Sequence, residues 1–238
     1  MKSINISIII VFISIKGFNY GQGRIQYNHP NLKVDLGVGL WAWPLPIDYD
    51  KDGDLDLLVT CPDKPYNGTY FFENPGTDRK MPIFKAGRRI GKGPQNVQIS
   101  YINGEPLVTT PGRLHLQFRE TQFTTSTKLP LSVHFHEGKK RANQWKFADY
   151  DNDGLNDLIV GIGDWNDYGW DNAFDDKGEW NRGPLHGYVY FARNIGTPDR
   201  PKYKTPQKIQ ADGKSVDVYG MPSPNLADFD NDGDLDLL

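Results

Sequence analysis

The sequence predicts an all-β protein of short antiparallel strands, and three observations predict it. An acidic nine-residue motif occurs three times, each time feeding a short apolar run. A second motif, Tyr70 to Thr77, returns as Tyr190 to Thr197. The composition of the 238 residues, with 17 Pro, 25 Gly, 12 Phe, 12 Tyr and 6 Trp, suits many strands joined by turns, and no stretch carries the period of a long amphipathic helix.

The acidic motif first runs from Asp48 to Asp56 and continues into Leu57-Leu58-Val59. It recurs from Asp149 to Asp157 before Leu158-Ile159-Val160, and from Asp228 to Asp236 before Leu237-Leu238. Aspartates stand at positions 1, 3, 5 and 9 of every copy, with Gly at position 6. A hard cation such as Ca²⁺ takes about six to eight oxygens, so a short loop must turn tightly to aim alternate side chains at one centre. The glycine permits that turn, and position 7 can offer its carbonyl, so Leu155 can stand where the other copies have Asp54 and Asp234. The ligand set expected is Asp48, Asp50, Asp52, Asp54 and Asp56 in the first loop; Asp149, Asp151, Asp153, Leu155 and Asp157 in the second; and Asp228, Asp230, Asp232, Asp234 and Asp236 in the third. The competing reading, an acidic turn that binds nothing, must explain the same offsets three times over.

An EF-hand requires a bidentate Glu at position 12 and flanking helices. Position 12 is instead Val59 and Val160, and the flanks are short apolar runs of the buried-strand kind. Asp-x-Asp-x-Asp-Gly-x-x-Asp followed by Leu-Leu-Val or Leu-Ile-Val resembles the FG-GAP or VCBS repeat, the calcium-loop unit of β-propellers related to the head of integrin α chains. The resemblance covers the chain from about residue 41 to its end. It implies four-stranded antiparallel blades in a ring of about seven and three Ca²⁺ sites, each between the first and second strands of a blade. It implies no particular activity.

Along the chain, Met1-Lys2 and the apolar run from Ile4 to Ile15 fit a secretory signal peptide, taken as residues 1–22, with no clear cleavage site; a buried first strand is the alternative. The run is too short to span a membrane. Residues 23–238 are then the N-terminal part of the calcium-binding propeller, secreted or on a cell surface, periplasmic or extracellular. The single cysteine, Cys61, allows no internal disulfide, so core and metal must hold the fold. The net charge of −3 counts the loop aspartates, and three bound Ca²⁺ would move it to about +3. No basic helix or long basic run points to nucleic acid.

The spacing between the two kinds of motif differs by about one blade of a repeat architecture, which places a degenerate blade without a calcium loop between Asn96 and Leu131. About three to four blades are therefore present. The last motif ends within the strand that it should feed, so further blades are expected beyond Leu238, the alternative being an open half-ring completed by a partner.

Because successive antiparallel strands place connections at alternate ends, the connection after each calcium loop belongs on the opposite face. One such connection swells to Asp164 through Gly187 and holds three of the six Trp. Trp165, Tyr168, Trp170, Trp180 and Arg182 are the candidate ligand-binding residues, because aromatic rings beside polar groups suit a sugar; the alternative is that they pack the loop on its own blade. The connection His134 to Arg141 should share that face, so His134, His136, Arg141, His186 and Tyr188 are candidate catalytic residues. The sequence thus supports a binder of a polysaccharide or a cell-surface glycan or protein. The alternatives are a lyase or hydrolase acting on an anionic polysaccharide and a structural adhesion or scaffold protein. His134 and His136 could also be a structural pair or two zinc ligands, but no third ligand is identifiable. Asn67-Gly68-Thr69 fits a glycosylation acceptor, a common chance pattern.

Overall fold

The computed structural model describes residues 37–64, 66–76, 82–169 and 173–238. The expected signal peptide and Trp170 lie outside the described residues. The fold is all-β, a succession of antiparallel sheets in chain order. The first sheet is β1 (Trp43–Ile47), β2 (Asp56–Cys61), β3 (Gly68–Phe72) and β4 (Arg88–Gly91), each paired with the next. β5 (Gln98–Ile102), β6 (Glu105–Thr110), β7 (Arg113–His115) and β8 (Ser126–Lys128) form the second, with a short helix α1 (Phe118–Thr121) between the last two strands.

The third sheet has the longest strands, β9 (Lys140–Ala148), β10 (Asp157–Asp164) and β11 (His186–Ala192). Its outer edge is divided: β12 (Gln207–Lys208) pairs with the C-terminal half of β11, and after the hairpin of β13 (Gln210–Ala211) and β14 (Lys214–Ser215), β15 (Asp217–Val218) pairs with the N-terminal half. A final antiparallel pair is β16 (Leu226–Ala227) and β17 (Asp236–Leu237).

The degenerate blade expected between Asn96 and Leu131 is the second sheet. Its third strand stops at His115, because Gln117 turns into the left-handed region and starts α1. Where the neighbouring sheets have an acidic loop, β5 and β6 are joined by Asn103-Gly104, both at positive φ, the two-residue hairpin that Asn-Gly favours.

The sheets pack face to face. Trp43, Leu45, Ile47, Leu58 and Phe71 of the first sheet meet Val97, Ile99, Val108 and Phe118. Leu107 and Leu114 on the other side of the second sheet meet Trp145, Leu158, Val160 and Ile162. Ile159 and Val189 then face Leu226, Leu235 and Leu237. β10 is buried along its whole length, as its apolar run requires with a neighbour on each side. Each burial of a large aliphatic side chain contributes about 1.5–3 kcal/mol.

β1, β5 and β9 are each an end strand of their sheet and pack together, with β5 between the other two. Pro44 and Pro46 are tolerated in β1 because it is an edge strand. Gln98, Ser100, Gln144, Lys146, Ser223 and Asn225 line a cavity of about 1090 Å³ along these strands. The Lys146 ammonium donates to Asn225 Oδ1, and burial draws its pKa down to about 8. Among the described residues the sheets do not close into a ring.

Candidate metal centres and the opposite face

The three acidic motifs form the hairpin connections β1–β2, β9–β10 and β16–β17, so all three lie at one end of their sheets. Position 4 of each loop takes the left-handed conformation, at φ 67° in Lys51, 55° in Asn152 and 63° in Asn231, and position 6 follows at 99°, 84° and 99° in Gly53, Gly154 and Gly233. A Cβ on any of the three glycines would meet nothing within 4 Å, so the requirement is backbone conformation and not space.

This turn brings positions 1, 3 and 9 together. Asp48, Asp50 and Asp56 place carboxylate oxygens within 4.8 Å of one another, as do Asp149, Asp151 and Asp157, and Asp228, Asp230 and Asp236. The position-5 carboxylates accept the N–H of position 7: Asp52 from Asp54 at 3.2 Å, Asp153 from Leu155 at 3.0 Å and Asp232 from Asp234 at 3.1 Å. The position-9 carboxylate closes the loop by accepting the N–H of position 2, from Tyr49 at 3.0 Å, Tyr150 at 3.1 Å and Phe229 at 2.8 Å.

A clamp that sequence reasoning saw only as a repeat completes two of the sites. Asn74 and Asn194, just beyond β3 and β11, donate their backbone N–H to Asp56 and Asp157 at 2.8 and 2.7 Å, and their side chains donate to the carbonyls of Leu55 and Asn156. This explains why the Tyr-Phe motif ends in Asn in both copies. Asp56 and Asp157 are fully buried, and burial pushes both carboxyls above the usual range, Asp157 to about 6. Burial, then the crowding of Asp52, Asp50 and Asp48, raises Asp54.

These groups fit a hard cation. Every converging donor is a carboxylate oxygen, and Asp48 Oδ1 and Asp54 Oδ1 are buried without a hydrogen-bond partner. The three triads could therefore each hold a metal ion.

The loops differ in their neighbours. At the second, Arg193 Nε lies 2.7 Å from Asp151 Oδ2, and its terminal nitrogen donates to Asp153 Oδ2 at 3.0 Å, which holds the Asp153 carboxyl below its usual value. At the first, the equivalent residue is Glu73, which pairs with Lys85.

The other end of the sheets carries the connections 62–67, 129–139 and 165–185. Here the structure gathers most of the candidate residues. His136 is buried, with Nδ1 2.9 Å from the Tyr190 hydroxyl and Nε2 3.3 Å from Asp164 Oδ2. Burial lowers the His136 pKa against the pull of Asp164, and raises Tyr190 to about 12. His186 stacks on Tyr188 at 5.3 Å, and its Nδ1 lies 2.6 Å from Asp217 Oδ2. Lys208 Nζ sits 3.1 Å above the Tyr188 ring. His134 is exposed, with its backbone N–H on Ser132 Oγ, and stands apart from this group.

The aromatic residues form a continuous ladder. Trp43 stacks near Trp41 at 6.4 Å, and the Arg141 guanidinium lies 4.7 Å from the centres of both Trp41 and Trp165. Trp165 meets Tyr168 at 5.1 Å, Tyr168 meets Trp180 at 4.4 Å, and Trp180 meets Phe174 at 5.3 Å. Trp165 is buried, so it serves packing, whereas Trp41, Tyr168 and Trp180 are partly open and Phe174 is exposed. Arg182 packs over the Gly169 turn. Trp41, Trp43 and Arg141 also line a cleft of about 540 Å³ with Pro62, Asp63, Pro94 and Gln95.

Sequence reasoning missed Trp41, Trp43, Asp217 and Lys208. The Trp41-Ala42-Trp43 alternation at the start of β1 was the available signal for the first two; Asp217 and Lys208 come from the divided edge strand, which has no motif.

Among the described residues, no helix is long and apolar enough to cross a membrane. No family model matches the chain, and no curated protein or solved structure matches it either.

Proposed function

We propose that this chain is a secreted, calcium-binding protein of β-propeller blades of the FG-GAP or VCBS kind, with three Ca²⁺ sites at one end of its blades and a glycan-binding face at the other. The observation that carries the calcium half is the threefold recurrence of one carboxylate triad on one backbone turn. Asp48, Asp50 and Asp56, with their counterparts in the other loops, would hold the ion, joined by the position-5 and position-7 groups. Calcium, when bound, supplies the divalent charge that cancels repulsion among these carboxylates. The chain's own part is to fix the ligands: position 9 is locked by the position-2 N–H and by Asn74 or Asn194. Melting the full chain with and without a chelator tests this reading, since an ion that binds only the folded state raises Tm by mass action. An unchanged Tm overturns it.

The glycan half rests on the aromatic and cationic ladder from Trp43 to Phe174 beside Arg141 and Arg182. Open aromatic faces accept the apolar side of a pyranose, while guanidinium groups accept carboxylate or sulfate. Retention of the chain by immobilised anionic polysaccharide, lost in Trp180→Ala and Arg182→Ala, is the expected result. Failure to bind any polysaccharide leaves the protein-ligand or scaffold reading in its place.

One observation favours an enzymatic second reading, a lyase or hydrolase on the same face. His186 is oriented by Asp217 and stacked on Tyr188, with Lys208 above the phenol ring, which places a base, an acid and a cation together. Release of unsaturated uronate, seen by its ultraviolet absorbance and abolished in His186→Ala, would establish it. Binding without turnover rules it out for the polysaccharides tried.

A further inference from the structure

Resting on the calcium reading of the loops, we propose that Arg193 is a built-in competitor for the metal at the second loop, making that site weaker than the first and closing the loop when calcium is absent. Arg193 and Glu73 occupy the same place in the repeat, directly before the clamping Asn194 and Asn74. Opposite charges at this place give the two loops opposite surroundings.

The Arg193 guanidinium spans positions 3 and 5 of its loop, with Nε 2.7 Å from Asp151 Oδ2 and its terminal nitrogen 3.0 Å from Asp153 Oδ2. Asp151 is also a member of the converging triad. A cation entering the second loop must share these carboxylates with the guanidinium or displace it, and repulsion between the two positive charges weakens binding. The neighbouring aspartates are fewer as well, because Leu155 stands where the first loop has Asp54.

At the first loop Glu73 does the reverse. It holds the Lys85 ammonium in an ion pair, so the nearby cation is neutralised outside the triad. Lys51 likewise turns outward to Glu120 at 2.7 Å. Asp54 Oδ1 is left buried and without a partner, which favours an incoming ion. In the metal-free state the first loop therefore keeps its repulsion, whereas the second has an internal cation bridging two of its carboxylates.

The loops also carry their own reporters. Position 2 is Tyr49 in the first, Tyr150 in the second and Phe229 in the third, so terbium used in place of calcium can be excited through tyrosine at the first two. In the full chain, Tyr150→Phe with Tyr203→Phe dims the second loop and leaves the first, and Tyr49→Phe with Tyr101→Phe does the reverse, because Tyr203 lies near Asp157 and Tyr101 near Asp48. The expected result is saturation of the second loop at roughly tenfold higher terbium than the first, a gap narrowed by Arg193→Gln and also by Glu73→Arg, which sets a guanidinium beside the first loop as well. A second measurement needs no metal: in chelator, amide exchange at Leu155 is slower than at Asp54, since each N–H is held by the position-5 carboxylate and only Asp153 is fixed by a guanidinium, and Arg193→Gln removes the difference. Unchanged saturation of the second loop in Arg193→Gln, with both loops still binding terbium, overturns the role of Arg193 alone. Absence of tyrosine-sensitised emission from every variant overturns the calcium reading and this inference with it.

Discussion

The two ends of the sheets are built by opposite means. At the acidic end the loops β1–β2, β9–β10 and β16–β17 are short and repeated, and their own backbone N–H groups hold the carboxylates: one turn, used three times, closes on position 9. At the other end no connection resembles another. The longest, between β10 and β11, is held by rings packed on rings and by side chains reaching from β9, β11 and β15. Repetition marks the end where backbone geometry is demanded, and departure from repetition marks the end free to vary. The acidic end therefore serves the fold, and the proposed ligand recognition belongs at the aromatic end.

The largest effect is expected where the acidic end is cut at its keystone. Asp157→Ala leaves the N–H groups of Tyr150 and Asn194 without an acceptor and removes a triad member. With calcium present this costs about 3 kcal/mol in urea unfolding, since each unpaired buried donor costs about 1–3 kcal/mol. In chelator the loss shrinks, because the substitution also removes a buried carboxylate that has no counter-ion. An equal loss in both conditions would show that Asp157 acts only as a hydrogen-bond acceptor.

A cut at the aromatic end should stay local. Trp180→Ala removes the contacts with Tyr168 and Phe174 and costs about 1–2 kcal/mol. It leaves the calcium titration midpoint unchanged, because distant sites without shared partners act independently. Polysaccharide retention falls in the same variant. A shifted calcium midpoint would mean that the two ends are coupled through β10 and β11, and the comparison would fail.

The acidic end was almost wholly legible in the sequence. Oxygen ligands at offsets 1, 3 and 9 need no tertiary information, and the glycine at position 6 announces its own turn. The Asn74 and Asn194 clamp was visible as a repeat but not as a function, because its partner carboxylate lies 18 residues away in one case and 37 in the other. The aromatic end was legible in position and not in content. Strand counting placed His136, His186 and Tyr188 on one face, and the structure brings their side chains into one cluster with Asp164 and Asp217. Trp41 joined the ladder only through β9, when the sheets packed and Arg141 came between two tryptophans. Contacts of that kind depend on how one sheet sits on the next, which no local pattern encodes.

A further effect separates the metal-free from the loaded acidic end by pH. In the metal-free chain Asp157 titrates near 6 when folded against 3.8 for the free side chain, because it is buried. The folded state thus holds its proton more tightly. The stability this group contributes is fully present below about pH 4 and is lost as pH rises through about 6, a change of at most about 3 kcal/mol. In the loaded chain protons compete with calcium for the same carboxylates, so acid weakens it. The Tm difference between loaded and chelated protein is expected to shrink steadily as pH falls from neutrality to 4. A difference that stays constant would remove Asp157 from the metal site.

The smallest effect tests whether the acidic turn is shaped for an ion or is simply a hairpin. Gly154 and Gly104 both hold positive φ, at 84° and 81°, and a Cβ on either would meet open space. One sits in the second acidic loop and the other in the plain Asn-Gly hairpin that replaces such a loop. Substituting Ala costs about 1 kcal/mol at each in chelator, from backbone strain alone. Calcium should separate them. The Gly104→Ala cost is indifferent to the ion, whereas in Gly154→Ala the relaxing backbone moves Asp151 and Asp153 away from the triad and the cost grows with calcium. Equal costs under both conditions would mean that the turn brings its aspartates together without depending on position 6, and the loop would be no more specialised than the hairpin beside it.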